Sequence, residues 1–404
     1  LLSNDNWEKP VLPLLNGIRV IEVGAVVLGP YAGQILADLG AEVIKVEPLE
    51  GDIARDAHPQ GAGGGALFVN NNRNKRMLAV DLKRPEGRAA LARLIATSDV
   101  LLHNMRLDAA DRLGLGAQAV AAINPRIVHC AATGFGRAGP YRDRPAFDDI
   151  IQAASGMAGL GALHDGIPRF VPTILADKVA ALHVVYGILA ALFARERGAA
   201  GPFPVEVPMF ETMVSFLLNE HLAAATFAER GATGYPRLLS PDRRPFRTAD
   251  GWIAVLPYTE AQWRRFLAEV GRGDVCDAPW FGVPRSRQAH VGELYAIVAQ
   301  SLLARTTDAW IAALEACDIP CARIAMPADL LTDPHLHEIG FFDVPAGFPA
   351  GVERALPQPV LFPGTAADGD TPPHALGADS REILRDCGHD EAEIDALIAG
   401  GAVR

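Results

Sequence analysis

The chain has 404 residues, 50% of them apolar and 21% charged, with 39 Gly and 30 Pro. That length exceeds one small core and suits two domains, and the composition excludes a disordered, collagen-like or coiled-coil protein. Lys plus Arg number 37 against 48 Asp plus Glu, a formal charge of −11, which argues against a nucleic-acid partner, while local basic clusters stay able to hold a small anion.

The N-terminus has no initiator Met and no charged n-region or cleavage pattern, so a few leading residues are expected to be missing. Ile18 to Val23 reads as a strand ending at Gly24, and a loop leads to Pro30, suited to the first turn of a helix. That helix, Tyr31 to Leu39, stops at Gly40, and Glu42 to Glu47 is a second strand. Strand, Gly-bearing loop, helix and strand make a βαβ unit, hence a parallel, doubly wound α/β sheet. Met77 to Leu82, Asp99 to His103 and Arg126 to Ala131 read as further strands, with a helix over Pro85 to Thr97.

A Gly, Pro and Arg-rich loop spans Gly134 to Pro145. The longest apolar stretch, Val179 to Ala194, falls short of the roughly 20 residues that cross a bilayer, so it reads as a helix buried in protein and no membrane partner is expected. Pro204 to Met209 fits a strand and Glu211 to Phe227 a helix. Composition shifts at Gly231 to Arg244. The next block has a strand at Trp252 to Leu256 and helices near 260–270, 292–304 and 307–316, the pattern of a separate α+β domain. Beyond Ala328 come short strands, a Pro-rich segment (Pro357 to Pro373) and a terminal helix over Asp379 to Ala399. Five irregularly spaced cysteines point to a reducing, cytoplasmic compartment, and Cys317 with Cys321 lacks the second pair a metal site needs.

Four features bear on chemistry. Gly24, Gly29 and Gly33 are spaced five and four apart, which fails the Gly-x-Gly-x-x-Gly fingerprint even though Glu47 is placed to suit a ribose hydroxyl. The other reading of these glycines is close packing in a βαβ start. Arg73, Lys75, Arg76, Lys83, Arg84 and Arg88 either face a polyanion or form a solvated turn. Asn104 lies just beyond a strand, at the carboxyl edge where open sheets bind ligands, or is an ordinary strand-end residue. Asp177 stands between an apolar run and an almost wholly apolar helix. It is either a carboxylate nucleophile strengthened by partial burial or an N-cap for orphan N–H groups.

The motifs Leu28-Gly29-Pro30-Tyr31-Ala32-Gly33, Leu39-Gly40-Ala41-Glu42-Val43-Ile44-Lys45-Val46-Glu47, Asn74-Lys75-Arg76, Asp81-Leu82-Lys83, Arg112-Leu113-Gly114 and Thr133-Gly134-Phe135-Gly136 together resemble the class III coenzyme A transferases. This CaiB/BaiF family also contains formyl-CoA transferase and the α-methylacyl-CoA racemases. The resemblance runs along nearly the whole chain. It implies a Rossmann-like large domain over 1–225 completed by a return segment over 329–404, a smaller α+β domain over 226–328, and an interlocked homodimer. It implies Asp177 as the catalytic residue. The coenzyme A contacts it implies are Val27, Leu28, Val80, Asp81, Leu82, Lys83, Asn104, Met105, Arg106, Arg112, Arg144, Pro145, Ala146, Phe147 and Met209. No metal and no prosthetic group are expected; a coenzyme A thioester is the substrate, and acyl-CoA and a small carboxylic acid are the partners.

Two departures sharpen the expectation. The racemases carry a catalytic His thirty residues before the Asp, where this chain has Phe147, which has no proton to exchange. The nearest histidines are His164, in a predicted loop, and His183, inside the apolar helix. Transfer is therefore expected, with α-methylacyl-CoA epimerisation as the alternative. The mobile glycine run of some transferases is replaced by Leu239 to Pro245, whose Arg243 and Arg244 either offer charge to an acceptor carboxylate or are solvated.

Overall fold

The computed structural model describes residues 10–404 except 228–229, 364, 366 and 367, and except the side chains of His164, Gln288 and Asp368. Its chain divides into two units. The larger comprises the residues up to Gly161, Pro168–Asn219 and His335 onward; the smaller comprises Ala162–Ile167 and Glu220–Pro334.

In the larger unit six strands form one sheet: β1 (Arg19–Val23), β2 (Glu42–Glu47), β3 (Lys75–Ala79), β4 (Val100–His103), β5 (Val128–Thr133) and β6 (Phe203–Pro208). Their order is β3-β2-β1-β4-β5-β6, every pair parallel. This is the α/β doubly wound, Rossmann-type order, which reverses direction between β1 and β4. The strands read as continuous apolar runs because both faces are covered. Val20, Val43, Val100 and Val128 pack on α1 (Leu28–Asp38) and α3 (Leu175–Glu196). Ile21, Ile44, Leu78 and Leu101 pack on α2 (Pro85–Ala96) and on two C-terminal helices, α8 (Ser380–Asp386) and α9 (Glu391–Ala399).

Local signals explain most boundaries. Helix α1 ends in a paired closure in which Gly40, at φ +99°, donates to Ala37 O and Ala41 donates to Leu36 O. A Cβ on Gly40 would lie 2.2 Å from Leu12 O, so only glycine fits. The structure also corrects several expectations. Strand β3 begins at Lys75, whose ammonium is buried and bonded, rather than at Met77, and it ends at Ala79; Val80 still donates its N–H to Glu47 O and also bridges Val403. The expected terminal helix is two helices, broken at Gly388 (φ +84°) and restarted by the Asp390–Glu393 capping box. Past Ala328 the strand among the described residues is Asp368–Gly369, paired with Pro10–Val11. Helix α3 runs 22 residues, long and apolar enough by length and composition to cross a bilayer. Only one face is buried: Ala180, Val184 and Ile188 enter the core, whereas Leu182, Tyr186 and Phe193 are exposed.

The smaller unit is α+β. An antiparallel sheet of β7 (Phe246–Arg247), β8 (Trp252–Val255) and β9 (Cys321–Arg323) shares a core with α5 (Glu260–Glu269), α6 (Val291–Leu302) and α7 (Thr307–Ala316), centred on Ile253, Phe266, Val298 and Trp310.

Candidate active site

The loop between β1 and α1 is held from beneath by charges that never reach solvent. Glu22, Lys45 and Lys75 are 0–1% exposed. Lys45 Nζ lies 3.1 Å from Glu22 Oε1 and 2.9 Å from Asp52 Oδ2, and donates to Gly24 O at 2.8 Å. Lys75 Nζ pairs with Glu22 Oε2 at 2.7 Å and donates to Pro30 O, Asn71 O and Asn72 Oδ1. Burial draws the Lys75 ammonium down to about 8, against the opposing pull of Glu22. Asp52 in turn accepts the N–H of Val26, which sits at φ +68°. Gly33 is small for this network, since a Cβ there would stand 2.1 Å from Glu22 Oε2.

Across the sheet's switch point, Asn104 clamps the same loop. Its Oδ1 accepts from Ala25 N at 3.1 Å and its Nδ2 donates to Ala25 O at 2.9 Å. Gly24 and Gly29 meet here, an added Cβ on either lying 3.2 Å from the other's Cα. The three glycines thus serve packing. Glu47 is bound to Arg55 at 2.7 Å and accepts the Asp52 N–H, so no ribose-directed carboxylate is left, and the dinucleotide reading fails on both counts. Just before Asn104, His103 lies buried edge-on to His129, its ring nitrogens without hydrogen-bond partners; burial, and then the neighbouring His129 and Arg137, pull it down to about 3.

Asp177 occupies the third position of α3, after the N-cap residue Ile174. It is not the cap. That role falls to Asp148, the first residue of α4 (Asp148–Ala154). Its Oδ1 accepts from Ala176 N at 2.6 Å and Asp177 N at 3.3 Å. Gln152 fixes Asp148 by donating to Oδ2 at 2.6 Å, while its Oε1 accepts from Val171 N. The Asp177 carboxylate is thereby left off the helix cap, and the backbone of Leu28, at the start of α1, opposes the rise in its pKa. Burial first, then the Asp148 charge, raise it to about 6. At neutral pH the group is ionised yet poorly solvated, which favours nucleophilic attack.

The other expected contact residues leave the carboxyl ends of the parallel strands. Val27 and Leu28 follow β1, Val80 to Lys83 follow β3, Asn104, Met105, Arg106 and Arg112 follow β4, Arg144 to Phe147 follow β5, and Met209 follows β6. Parallel strands bring these segments to one edge of the sheet, where open α/β sheets bind ligands. Val27, Leu28, Val80 and Met209 are buried, whereas Lys83, Arg106, Pro145 and Phe147 are exposed. Asp81 accepts the Lys83 N–H, Arg112 pairs with Asp108 at 2.8 Å, and Arg144 stacks on Tyr141. Leu82 and Met105 pack against the apolar core from its margin, and the Ala146 methyl lies against Gly134.

The basic segment divides. The buried Arg73 pairs with Asp38, the half-buried Arg76 with Glu42 at 2.5 Å and the buried Lys75 with Glu22, so all three are committed to carboxylates, whereas Lys83 and Arg84 stay exposed. His183 is half-buried and bonds Val179 O of its own helix, and the His164 side chain lies outside the described residues.

A family model described as CoA-transferase family III matches residues 15–380. The chain belongs to CoA-transferase family III. The succinate–glutarate CoA-transferase of Agrobacterium fabrum is 30% identical, covering 92% of this chain and 95% of that protein. The succinyl-CoA–D-citramalate CoA-transferase of Chloroflexus aurantiacus is 31% identical over 94% and 95%. A CaiB/BaiF family protein from Brucella suis has a crystal structure matching with a TM-score of 0.77 at 28% identity, over 92% of this chain and 99% of that one. Glu22 and Asp52 carry no local signal of their part in the site, whereas Asp148 and Gln152 stand in the sequence segment around Phe147 that leads up to Asp177. Asp148 and Gln152 are four apart in α4, the spacing that places two side chains on one helix face.

Proposed function

We propose that the protein moves coenzyme A from an acyl-CoA thioester to a free carboxylic acid, with Asp177 as the residue that becomes acylated. The Asp177 carboxylate attacks the donor carbonyl, giving an aspartyl mixed anhydride and coenzyme A thiolate. The thiolate then attacks the aspartyl carbonyl, releasing the donor acid and leaving an aspartyl thioester. The acceptor carboxylate displaces the thiolate to form a second anhydride. Attack of the thiolate on the acceptor acyl carbon closes the cycle and restores Asp177. Each step exchanges one acyl bond for another, so the chemistry closes without a prosthetic group, and docking of the coenzyme keeps the thiolate near its electrophile.

The observation that carries this reading is the freedom of the Asp177 carboxylate. The helix cap that would have occupied it is supplied by Asp148, and the Leu28 backbone that opposes its pKa rise begins α1 at the carboxyl edge of the sheet. The names of the relatives, which pair succinate or succinyl-CoA with a second acid, support an acid acceptor. Phe147 counts against epimerisation, because an exposed phenyl ring cannot return a proton to an α-carbon. Asp177→Ala is expected to abolish exchange between acyl-CoA and acids while coenzyme A still binds; unchanged exchange would overturn the assignment.

The expected homodimer is retained as part of the proposal. Leu182, Tyr186 and Phe193 on α3 and Ile150 on α4 expose 50–68% of their surface, an apolar area of the kind that marks an interface. Light scattering should give twice the chain mass.

A further inference from the structure

We infer that the smaller unit holds its own binding site for an organic monocarboxylate with an apolar body. A cavity of about 430 Å³ opens there, and its lining combines Arg237, Arg243 and Arg244 with the apolar Leu238, Phe246 and Val255. A second cavity of about 480 Å³ shares Arg237 and Tyr295 with it. Both volumes fall in the range of small-molecule sites, about 300–1,000 Å³.

Three arginines line this one cavity, and among the described residues none of them is in an ion pair; Arg230, Arg247 and Arg285 of the same unit are also outside ion pairs but do not line it. Elsewhere in the unit Arg264 pairs with Glu260, Arg272 with Asp274, Arg305 with Glu269 and Arg323 with Asp308. Among the described residues, no carboxylate lies within 4.0 Å of the Arg237, Arg243 or Arg244 guanidinium. Asp242, the neighbour in sequence, lines an adjoining cavity with Arg244 but forms no ion pair with it. Arg237 instead stands 4.8 Å from the Tyr258 ring centre. Three arginines without an ion pair in one cavity lining, among apolar side chains, focus a positive potential there. Their planar forks match a carboxylate, and the apolar side chains take the rest of the molecule out of water.

Anionic oxygens could come from a free acid or from the phosphates of coenzyme A; the apolar side chains favour the acid. That the acid is the acceptor of coenzyme A rests on the transferase reading, whereas binding does not. The test therefore uses full-length Asp177→Ala protein, so that binding is read without turnover. Phenylacetate, succinate and adenosine bisphosphate are titrated separately by calorimetry.

Phenylacetate is expected to bind with a dissociation constant below about 10 mM. The double substitution Arg243→Gln with Arg244→Gln is expected to weaken it about tenfold, and Arg237→Gln to weaken it as well, without a change in thermal unfolding. Phenylacetate that fails to bind, or binds equally to the variants, overturns the site. Loss of adenosine bisphosphate binding with phenylacetate unaffected reassigns the arginines to coenzyme phosphates and overturns the inference. Tighter binding of succinate than of phenylacetate overturns the apolar-body assignment.

Discussion

The Asp148 carboxylate stands 2.6 Å from the Ala176 N–H and so closes the N-terminus of the helix that carries Asp177. One carboxylate closes the helix, and the other is the nucleophile of the proposed reaction. The same proximity sets two like charges beside each other, which helps hold Asp177 at about 6.

Substituting Asp148 separates these effects. Asp148→Ala removes both cap and charge and should destabilise the fold by about 1 kcal/mol. Asp148→Asn keeps an acceptor oxygen for the Ala176 N–H but removes the charge. Its thermal unfolding should stay near that of the parent. With the like charge gone, the Asp177 pKa falls, so the acid limb of the exchange rate should move below pH 6 in both variants. An unmoved limb in Asp148→Asn would contradict the coupling.

Asp177 itself should be a stability liability. Its folded value, about 6, lies above the ordinary 3.8, so the stability it contributes is present below pH 3.8 and is lost as pH rises through 6. Asp177→Asn should therefore be more stable than the parent at pH 8, by about 1–3 kcal/mol, and the gain should vanish by pH 4. Denaturant titrations at the two pH values check the sign.

The beginning of the fold was legible because its signals are local. Val20, Ile21, Gly24, Pro30 and Gly40 mark a strand, a turn, a helix start and a helix stop within some twenty residues. What the sequence hid depends on partners far along the chain. Lys75 reads as a surface charge until Glu22, contributed by another strand, is beside it. From its spacing alone Asp177 could equally be a cap, until Asp148, 29 residues earlier, takes that role. The break between α8 and α9 was a local signal passed over, since Gly388 and the Asp390–Glu393 box both announce it.

Removing one member of the buried charge network should be severe. Lys75→Met deletes the 2.7 Å partner of Glu22 Oε2 and leaves that carboxylate only Lys45. Loss of about 3–5 kcal/mol in urea unfolding is expected, and the loop around Leu28 should become protease-sensitive.

Acid should weaken the protein partly through His103. Its folded value, about 3, is below the ordinary 6.5, so the unfolded chain binds the proton first and stability falls as pH drops from 6.5 towards 3. His103→Leu should show a shallower loss over that window in parallel unfolding curves.

The most direct test of the central claim is to trap the acylated carboxylate. Protein turning over an acyl-CoA with a free acid is quenched with hydroxylamine, digested, and its peptides weighed. The account predicts a hydroxamate on Asp177 alone, dependent on acyl-CoA and absent from Asp177→Ala. A modification elsewhere, or none while coenzyme A is being exchanged, would contradict it.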